Sequence, residues 1–239
     1  MTPNYKLVSI EGNIGSGKST LLAYLKQKYG DNQTIIFLKE PVDEWEQIKD
    51  SNGNTMLKKF YADQQKYAFP FQMMAYISRL KILRDTVRVA LANPSKQYII
   101  ITERSLYTDK HVFAKMLYEQ GNIEDVCYQI YLNWFDEFAK DFPINYTIYV
   151  NAEPNTCYKR IHKRARDGEE VIPLDYLVSC HQYHESFLDP KTGIPTKQLV
   201  LDGNVDIYEN INILKQWLKQ IDEFIETNTT CENQQYCNI

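Results

Sequence analysis

The sequence predicts a three-layer α/β fold, with a five-stranded parallel sheet, right-handed crossovers and helices on both faces. Two observations predict it. Short apolar, often β-branched runs alternate with longer stretches of helical spacing along the whole chain. The first such run, Leu7-Val8-Ser9-Ile10, also leads through Gly12-Asn13-Ile14-Gly15-Ser16-Gly17-Lys18-Ser19 into a helix. Those residues match G-x-x-x-x-G-K-[ST] at every fixed position, in the strand–loop–helix setting that makes the pattern a phosphate cradle rather than a plain glycine turn.

The elements follow in order. Leu21, Leu22 and Leu25 carry helical spacing through Tyr29. Ile35-Ile36-Phe37-Leu38 is a strand stopped by Pro41, which leaves Glu40 at its carboxyl end. Thr55 to Ala92 is strongly helical, rich in aromatics, and predicted to kink or break at Pro70. Tyr98-Ile99-Ile100-Ile101-Thr102 is apolar throughout, as a strand buried on both faces should be, and ends in Glu103-Arg104-Ser105. Helices are predicted over about 109–119 and 123–140, then the strand Tyr146–Val150. A helix from Glu153 carries Arg160, Arg164 and Arg166 into Asp167-Gly168-Glu169-Glu170. Pro173 opens a helix to about Leu188, Gln198–Leu201 is the last strand, and a final helix spans about 207–225.

The 239 residues are 44% hydrophobic, and no Pro/Gly/Ser linker divides them. We therefore expect one domain over 1–225, with a polar tail over 226–239. A net charge of −4, with no dense basic run outside one short segment near Arg160, argues against a general nucleic-acid binder. The absence of a long apolar run argues against a membrane span. The chain reaches its first strand by Leu7, which leaves no room for a signal or transit peptide. The five cysteines are scattered and odd in number, as reduced thiols in a cytoplasmic setting would be.

Several residue sets point to chemistry. The loop glycines let backbone N–H groups turn inward, and the helix adds its positive end. Lys18 then reaches the β- and γ-phosphates, and the Ser19 hydroxyl binds Mg²⁺. Ligands sit beyond the carboxyl ends of parallel strands, so Glu40 is either a base for a substrate hydroxyl or a surface glutamate before a turn. Glu103 stands where phosphate-loop enzymes hold Mg²⁺. Gln72, Ala75 and Arg79 share one helical face, which reads most simply as solvated and otherwise as a base-reading stripe. Arg160 and Arg164 are one turn apart and read as a surface or as a phosphate lid over about 160–172.

With these motifs in order, the chain resembles the cellular deoxynucleoside kinases, from about Leu7 to Leu214. The resemblance is carried by the phosphate loop together with Glu40-Pro41-Val42 and Trp45, Phe71-Gln72, Glu103-Arg104-Ser105, Ile172-Pro173-Leu174 with Tyr176-Leu177, and His184-Glu185-Ser186. It implies ATP- and Mg²⁺-dependent phosphorylation of a deoxynucleoside 5′-hydroxyl for nucleotide salvage. Glu40 would be the base, and Arg104 would lie beside the 5′ oxygen and phosphates. Trp45, Leu57, Phe71 and Phe113 would wall the base, with Phe113 stacking on it and Gln72 pairing with its Watson–Crick edge. Tyr61 and Glu169 would hold the sugar 3′-hydroxyl. Lys18 and Thr20 would join the loop in holding the donor, and Ser19 and Glu103 would handle Mg²⁺. Arg160, Arg164 and Arg166 would belong to the lid, while Asp206 and Ile207 would meet the donor base. The family also implies a homodimer packed through helices near 86–91 and 125–138.

The family varies at Ala75, Arg79 and Asp109, and an Arg/Asp pair there resembles the deoxycytidine and deoxyguanosine enzymes. Asp109 is an acceptor suited to the exocyclic amine of cytosine or adenine; facing thymine's carbonyl, it would leave an acceptor unpaired at about 1–3 kcal/mol. Deoxycytidine and purine deoxynucleosides are thus expected ahead of thymidine. There are departures. Gly168 replaces the first of two lid acids, so either Glu169 or Glu170 serves the sugar, and ungapped spacing favours Glu169. Ile207 stands where an aromatic is common. The rival readings are a monophosphate kinase resembling thymidylate kinase and a non-catalytic assembly subunit. Glu40 would repel an acceptor phosphate, which opposes the first. Retention of Lys18, Ser19, Glu40, Glu103, Arg104 and the lid arginines opposes the second.

Overall fold

The computed structural model describes residues 3–166, 168, 169 and 171–235, with side chains as far as Asn228. The sheet has five parallel strands: β1 (Tyr5–Glu11), β2 (Ile35–Leu38), β3 (Tyr98–Glu103), β4 (Tyr146–Asn151) and β5 (Lys197–Asp202). Their spatial order is β2-β3-β1-β4-β5. Every ladder is parallel, and β1 is at the centre, with Ser9 opposite Thr102 on one side and Thr147 on the other. The chain leaves β1 toward β2 and leaves β3 toward β4 on the opposite side. The crevice beyond the ends of β1 and β3 is therefore the topological switch point, where this class of sheet holds its ligands.

Alternation along β1 divides the core. Val8 and Ile10 face α1 (Lys18–Tyr29) and the terminal helix α10 (Ile211–Gln235), and pack with Leu21, Leu25, Ile148, Trp217 and Ile221. Leu7 faces the other way, into a cluster with Tyr76, Leu80 and Leu83 of α4 (Gln64–Leu91) and Tyr131 and Phe135 of α7 (Asp125–Phe138). Each such side chain, fully buried, stabilises the fold by about 1.5–3 kcal/mol. A third cluster, with Trp45, Leu57, Phe60 and Phe71, roofs the carboxyl end of the sheet.

The helices depart from sequence expectation at informative places. After α2 (Val42–Trp45), the stretch predicted to kink or break at Pro70 is continuous through it and breaks at Asp63, giving α3 (Met56–Ala62) and α4 (Gln64–Leu91). Asp63 leaves helical geometry (φ −152°, ψ 87°), and its side chain caps α4 by accepting the Lys66 N–H at 3.1 Å. Pro70 sits inside α4 and removes one backbone donor; the buried face of Phe71, Tyr76, Leu80, Leu83 and Val87 holds the helix together across it.

The helix predicted from Asp109 starts earlier, because Ser105 and Thr108 form a reciprocal capping box. It runs as α5 (Leu106–Thr108), a π-helical turn Asp109–Ala114, and α6 (Lys115–Glu119). Then come α7 (Asp125–Phe138) with a 3₁₀ turn, α8 (Pro154–Arg164) and α9 (Leu174–Leu188). Ala165, at φ 49°, ends α8, so Arg166 lies beyond it.

The terminal helix α10 spans Ile211–Gln235, not 207–225. The tail predicted to fray is helical as far as Gln235, and Asn228 within it is buried. Its amide donates to the Phe224 carbonyl at 2.6 Å, and its own carbonyl accepts the Tyr146 hydroxyl at 3.0 Å. Among the described residues no helix is long and apolar enough to cross a membrane.

Candidate active site

A cavity of about 450 Å³ opens over the carboxyl ends of β1 and β3. Its floor is the phosphate loop. At Gly12 (φ 141°) a Cβ would lie 2.5 Å from the Val150 carbonyl oxygen, and at Gly15 one would lie 2.8 Å from that of Cys157. Both positions therefore require glycine, and the loop lies flat against β4 and α8. The Asn13 side chain ties the loop down, donating to the Leu177 carbonyl and accepting the Ile14 N–H, each at 2.8 Å. Lys18 donates to the Asn13 carbonyl at 2.6 Å. Burial, with Arg104 nearby, lowers its ammonium to about 7. Ser16, Gly17, Ser19 and Thr20 complete this side of the cavity.

Ser19 at the start of α1 donates its hydroxyl to Glu103 at the end of β3. The second carboxylate oxygen of Glu103 is buried and, among the described residues, has no hydrogen-bond partner. A hydroxyl beside a carboxylate with a buried oxygen to spare is a donor set of the hard-oxygen kind that suits Mg²⁺.

Beyond them lies a chain of alternating charge. Asp109 in the π-helical turn accepts Arg79 Nε at 2.9 Å, Arg79 Nη2 reaches Glu40 at 2.9 Å, and Arg104 Nη1 lies 2.8 Å from both Glu40 oxygens. Arg79 Nη1 also donates to the Glu103 carbonyl at 2.7 Å. Burial alone would raise the Glu40 carboxyl, but Arg104 and Arg79 outweigh it and hold it at about 2. Burial raises Asp109 to about 6 against the pull of Arg79. Arg104 has a left-handed backbone (φ 59°), and its guanidinium carbon stands 5.0 Å from the centre of the Phe113 ring. Its Nε and Nη2 are buried without partners among the described residues.

The closed end of the cavity is aromatic. Trp45 and Phe71 meet edge to face at 5.7 Å, and Phe113, Tyr61, Leu57 and Ala75 complete the wall. The solvated-face reading of Gln72 and Arg79 is overturned: they are 2% and 7% exposed, because α4 turns that face onto β3 and the cavity. Gln72 Oε1 is buried with no protein partner among the described residues.

Glu169 is buried and paired with Arg164 and, at 3.1 Å, with Arg166. Asp167 and the alternative sugar ligand Glu170 lie outside the described residues. Arg160 turns away from the lid, donating to the carbonyls of Gly203 (2.6 Å), Val205 (3.0 Å) and Ser16 (3.3 Å), and so joins the phosphate loop to the loop after β5. Asp206 and Ile207 reach the cavity from that loop, although most of Ile207 is buried in the α10 core.

The sequence reading missed Lys163, Tyr176 and Tyr208 on the cavity wall. Tyr208 is 72% exposed, and its hydroxyl lies 3.2 Å from Thr20 Oγ1. Its signal in the sequence is an aromatic one position after Ile207.

A family model described as deoxynucleoside kinase matches residues 8–226. A probable deoxycytidine kinase of fowlpox virus is 35% identical over 226 residues, covering 92% of this chain and 88% of that protein. Human deoxycytidine kinase is 34% identical over 245 aligned residues, covering 93% of this chain and 92% of that protein. A mitochondrial deoxyguanosine kinase of Xenopus laevis is 29% identical over 238 residues, covering 94% and 84% respectively.

Proposed function

Because the chain belongs to the deoxynucleoside kinase family, we propose that it transfers the γ-phosphoryl group of ATP, with Mg²⁺, to the 5′-hydroxyl of deoxycytidine and purine deoxynucleosides ahead of thymidine. The observation that carries this reading is the Asp109–Arg79–Glu40–Arg104 chain, standing between the phosphate loop and the aromatic end of one cavity. A triphosphate on the loop directs its γ-phosphoryl toward Arg104. A nucleoside base between Trp45 and Phe113 directs its sugar toward Glu40.

Phosphoryl transfer needs little proton chemistry early, because its transition state is loose. A carboxylate held at about 2 is a weak base, but it suits that requirement: Glu40 orients the 5′-hydroxyl and accepts its proton late, as the new ester bond forms. Arg104 neutralises the transferring group through the nitrogens that Glu40 does not use. Ser19 and Glu103 would hold Mg²⁺, which neutralises phosphate charge. Arg164, Arg166 and Lys163 would close over the phosphates, releasing Glu169 to the sugar 3′-hydroxyl beside Tyr61. An acceptor phosphate, as in a monophosphate kinase, would meet the Glu40 carboxylate instead.

Each Asp109 oxygen faces Arg79 and keeps a further lone pair, which fits an amine on the base rather than thymine's carbonyl. Guanine's carbonyl would face Arg79. The homodimer reading is supported by Val126, Ile130 and Trp134, an exposed apolar stripe along α7, and by exposed Val89 and Leu91 at the end of α4. The free thiols of Cys127, Cys157 and Cys180 agree with a cytoplasmic setting. Neither a nucleic acid nor a membrane is a partner in this reading.

The test is an assay of ATP·Mg²⁺ with each of the four deoxynucleosides. Deoxycytidine or a purine should lead. If thymidine leads, the use of Arg79 and Asp109 is wrong; if none is phosphorylated, the kinase reading fails.

A further inference from the structure

Glu11 is the last residue of β1, immediately before Gly12, and its side chain is completely buried. It lies outside the cavity lining and takes no part in the chemistry above. Its carboxylate is met by hydroxyls: those of Ser9, of Ser105 at 2.8 Å and of Thr108 at 2.5 Å. A buried carboxylate is costly unless every lone pair is used, so this arrangement needs a structural reason.

The reason lies in what those hydroxyls do next. Ser105 and Thr108 are the two halves of the capping box that starts α5. The Ser105 hydroxyl accepts the Thr108 N–H at 3.1 Å, and the Thr108 hydroxyl accepts the Ser105 N–H at 3.2 Å. Each hydroxyl has one proton to give and lies within reach of Glu11, while the two hydroxyl oxygens also stand 2.9 Å from one another. The carboxylate thus anchors both ends of the cap. One residue earlier on each side, the Arg104 N–H donates to the Ile10 carbonyl at 2.9 Å. Two consecutive residues of β1 therefore grip two consecutive residues of the turn after β3. The gripped residue, Arg104, holds the left-handed backbone conformation that non-glycine residues adopt only when their surroundings enforce it.

We propose that Glu11 is a positioning residue: its buried carboxylate locks the mouth of the phosphate loop to the Glu103-Arg104-Ser105 turn and so sets where Arg104 stands between Glu40 and the phosphates. Glutamine replaces it only with a rearranged network: it has one acceptor oxygen, and the hydroxyl that meets its NH₂ must turn its proton to the other hydroxyl, 2.9 Å away, which shifts the cap against β1.

The inference rests on the reading of Arg104 as a group of the reacting centre, so the experiment tests the two separately. Glu11→Gln, Arg104→Lys and the double variant are prepared in the full chain. Each is assayed for kcat and KM with ATP·Mg²⁺ and the best deoxynucleoside. Glu11→Gln is expected to lower kcat by about 10- to 100-fold through misplacement of Arg104, with the nucleoside KM within about threefold of wild type. In the double variant kcat should match Arg104→Lys alone, since the misplaced group is already impaired. Ser105→Ala, which removes one hydroxyl and leaves the carboxylate two, carries the same cycle if Glu11→Gln does not fold. If the two losses in kcat multiply, or Glu11→Gln changes only thermal stability, Glu11 is structural and the proposal is overturned. If Arg104→Lys leaves kcat unchanged, the reading of Arg104 fails instead.

Discussion

Arg104 holds Glu40 with a single nitrogen, Nη1, 2.8 Å from each carboxylate oxygen, while its Nε and Nη2 remain buried and unpaired among the described residues. In the function proposed, one guanidinium both steadies the base and faces the phosphates. Glu40→Gln keeps the shape and removes the charge. Its kcat is expected to fall about 10²- to 10⁴-fold, the range of general-base contributions, with deoxynucleoside affinity by calorimetry little changed. A kcat within a few-fold of wild type would leave Glu40 only a partner for the two arginines.

Asp109 discriminates bases only if its oxygens face the base edge. Asp109→Asn exchanges an acceptor for an amide that can also donate. The cost of one mismatched buried pair, about 1–3 kcal/mol, sets the scale: kcat/KM for deoxycytidine should fall about 5- to 150-fold. Thymidine should lose less, because the new NH₂ can meet its carbonyl. An unchanged ratio of the two specificities would assign Asp109 to holding Arg79 alone.

How far these roles were legible in the sequence differs by residue. The phosphate loop was legible because its glycines, lysine and serine are fixed by local backbone geometry, which a pattern captures. Arg79 was not. Its burial depends on α4 turning that face onto β3, a tertiary fact, and in isolation an arginine on an amphipathic helix reads as solvated. Pro70 misled because proline's cost is local, whereas the helix around it is held by packing with distant strands. Asp63, three residues before Lys66, carried the cap signal at the true break and was outweighed by the proline.

The end of α10 was misread on composition alone. A chain ending at Glu226 would lose the buried Asn228 and the acceptor it gives the Tyr146 hydroxyl. Urea unfolding should show a loss of about 1–2 kcal/mol. An unchanged midpoint would return the segment to the frayed tail first expected.

On α7, Val126, Ile130 and Trp134 recur every four residues and stand exposed, with Trp134 at 51%. If this stripe is the homodimer seam, Trp134→Glu places a charge on each side of it. Sedimentation velocity should then show monomer at concentrations where wild type is dimeric, with helix content by circular dichroism retained. A dimer that survives the substitution would have to be packed through another face.

Lys18 gives a prediction whose sign follows from its burial. Burial lowers its ammonium to about 7, and a triphosphate laid beside it favours the charged form and raises it. At pH 8 the free lysine is mostly neutral and the bound one protonated, so ATP·Mg²⁺ binding should take up close to one proton, about 0.9 if the bound form is fully charged. The γ-phosphate is already ionised at that pH and releases little to offset it. Affinity should therefore weaken as pH rises above 7, approaching tenfold per unit until the bound-state value is reached. Calorimetric titration in two buffers of different ionisation enthalpy counts the protons directly. Lys18→Arg serves as the control, since arginine stays charged throughout and should abolish the uptake while keeping a cation in the loop. Equal apparent enthalpies for the wild type in both buffers would mean that the lysine is already charged before nucleotide arrives, and that the Asn13 carbonyl at 2.6 Å outweighs its burial.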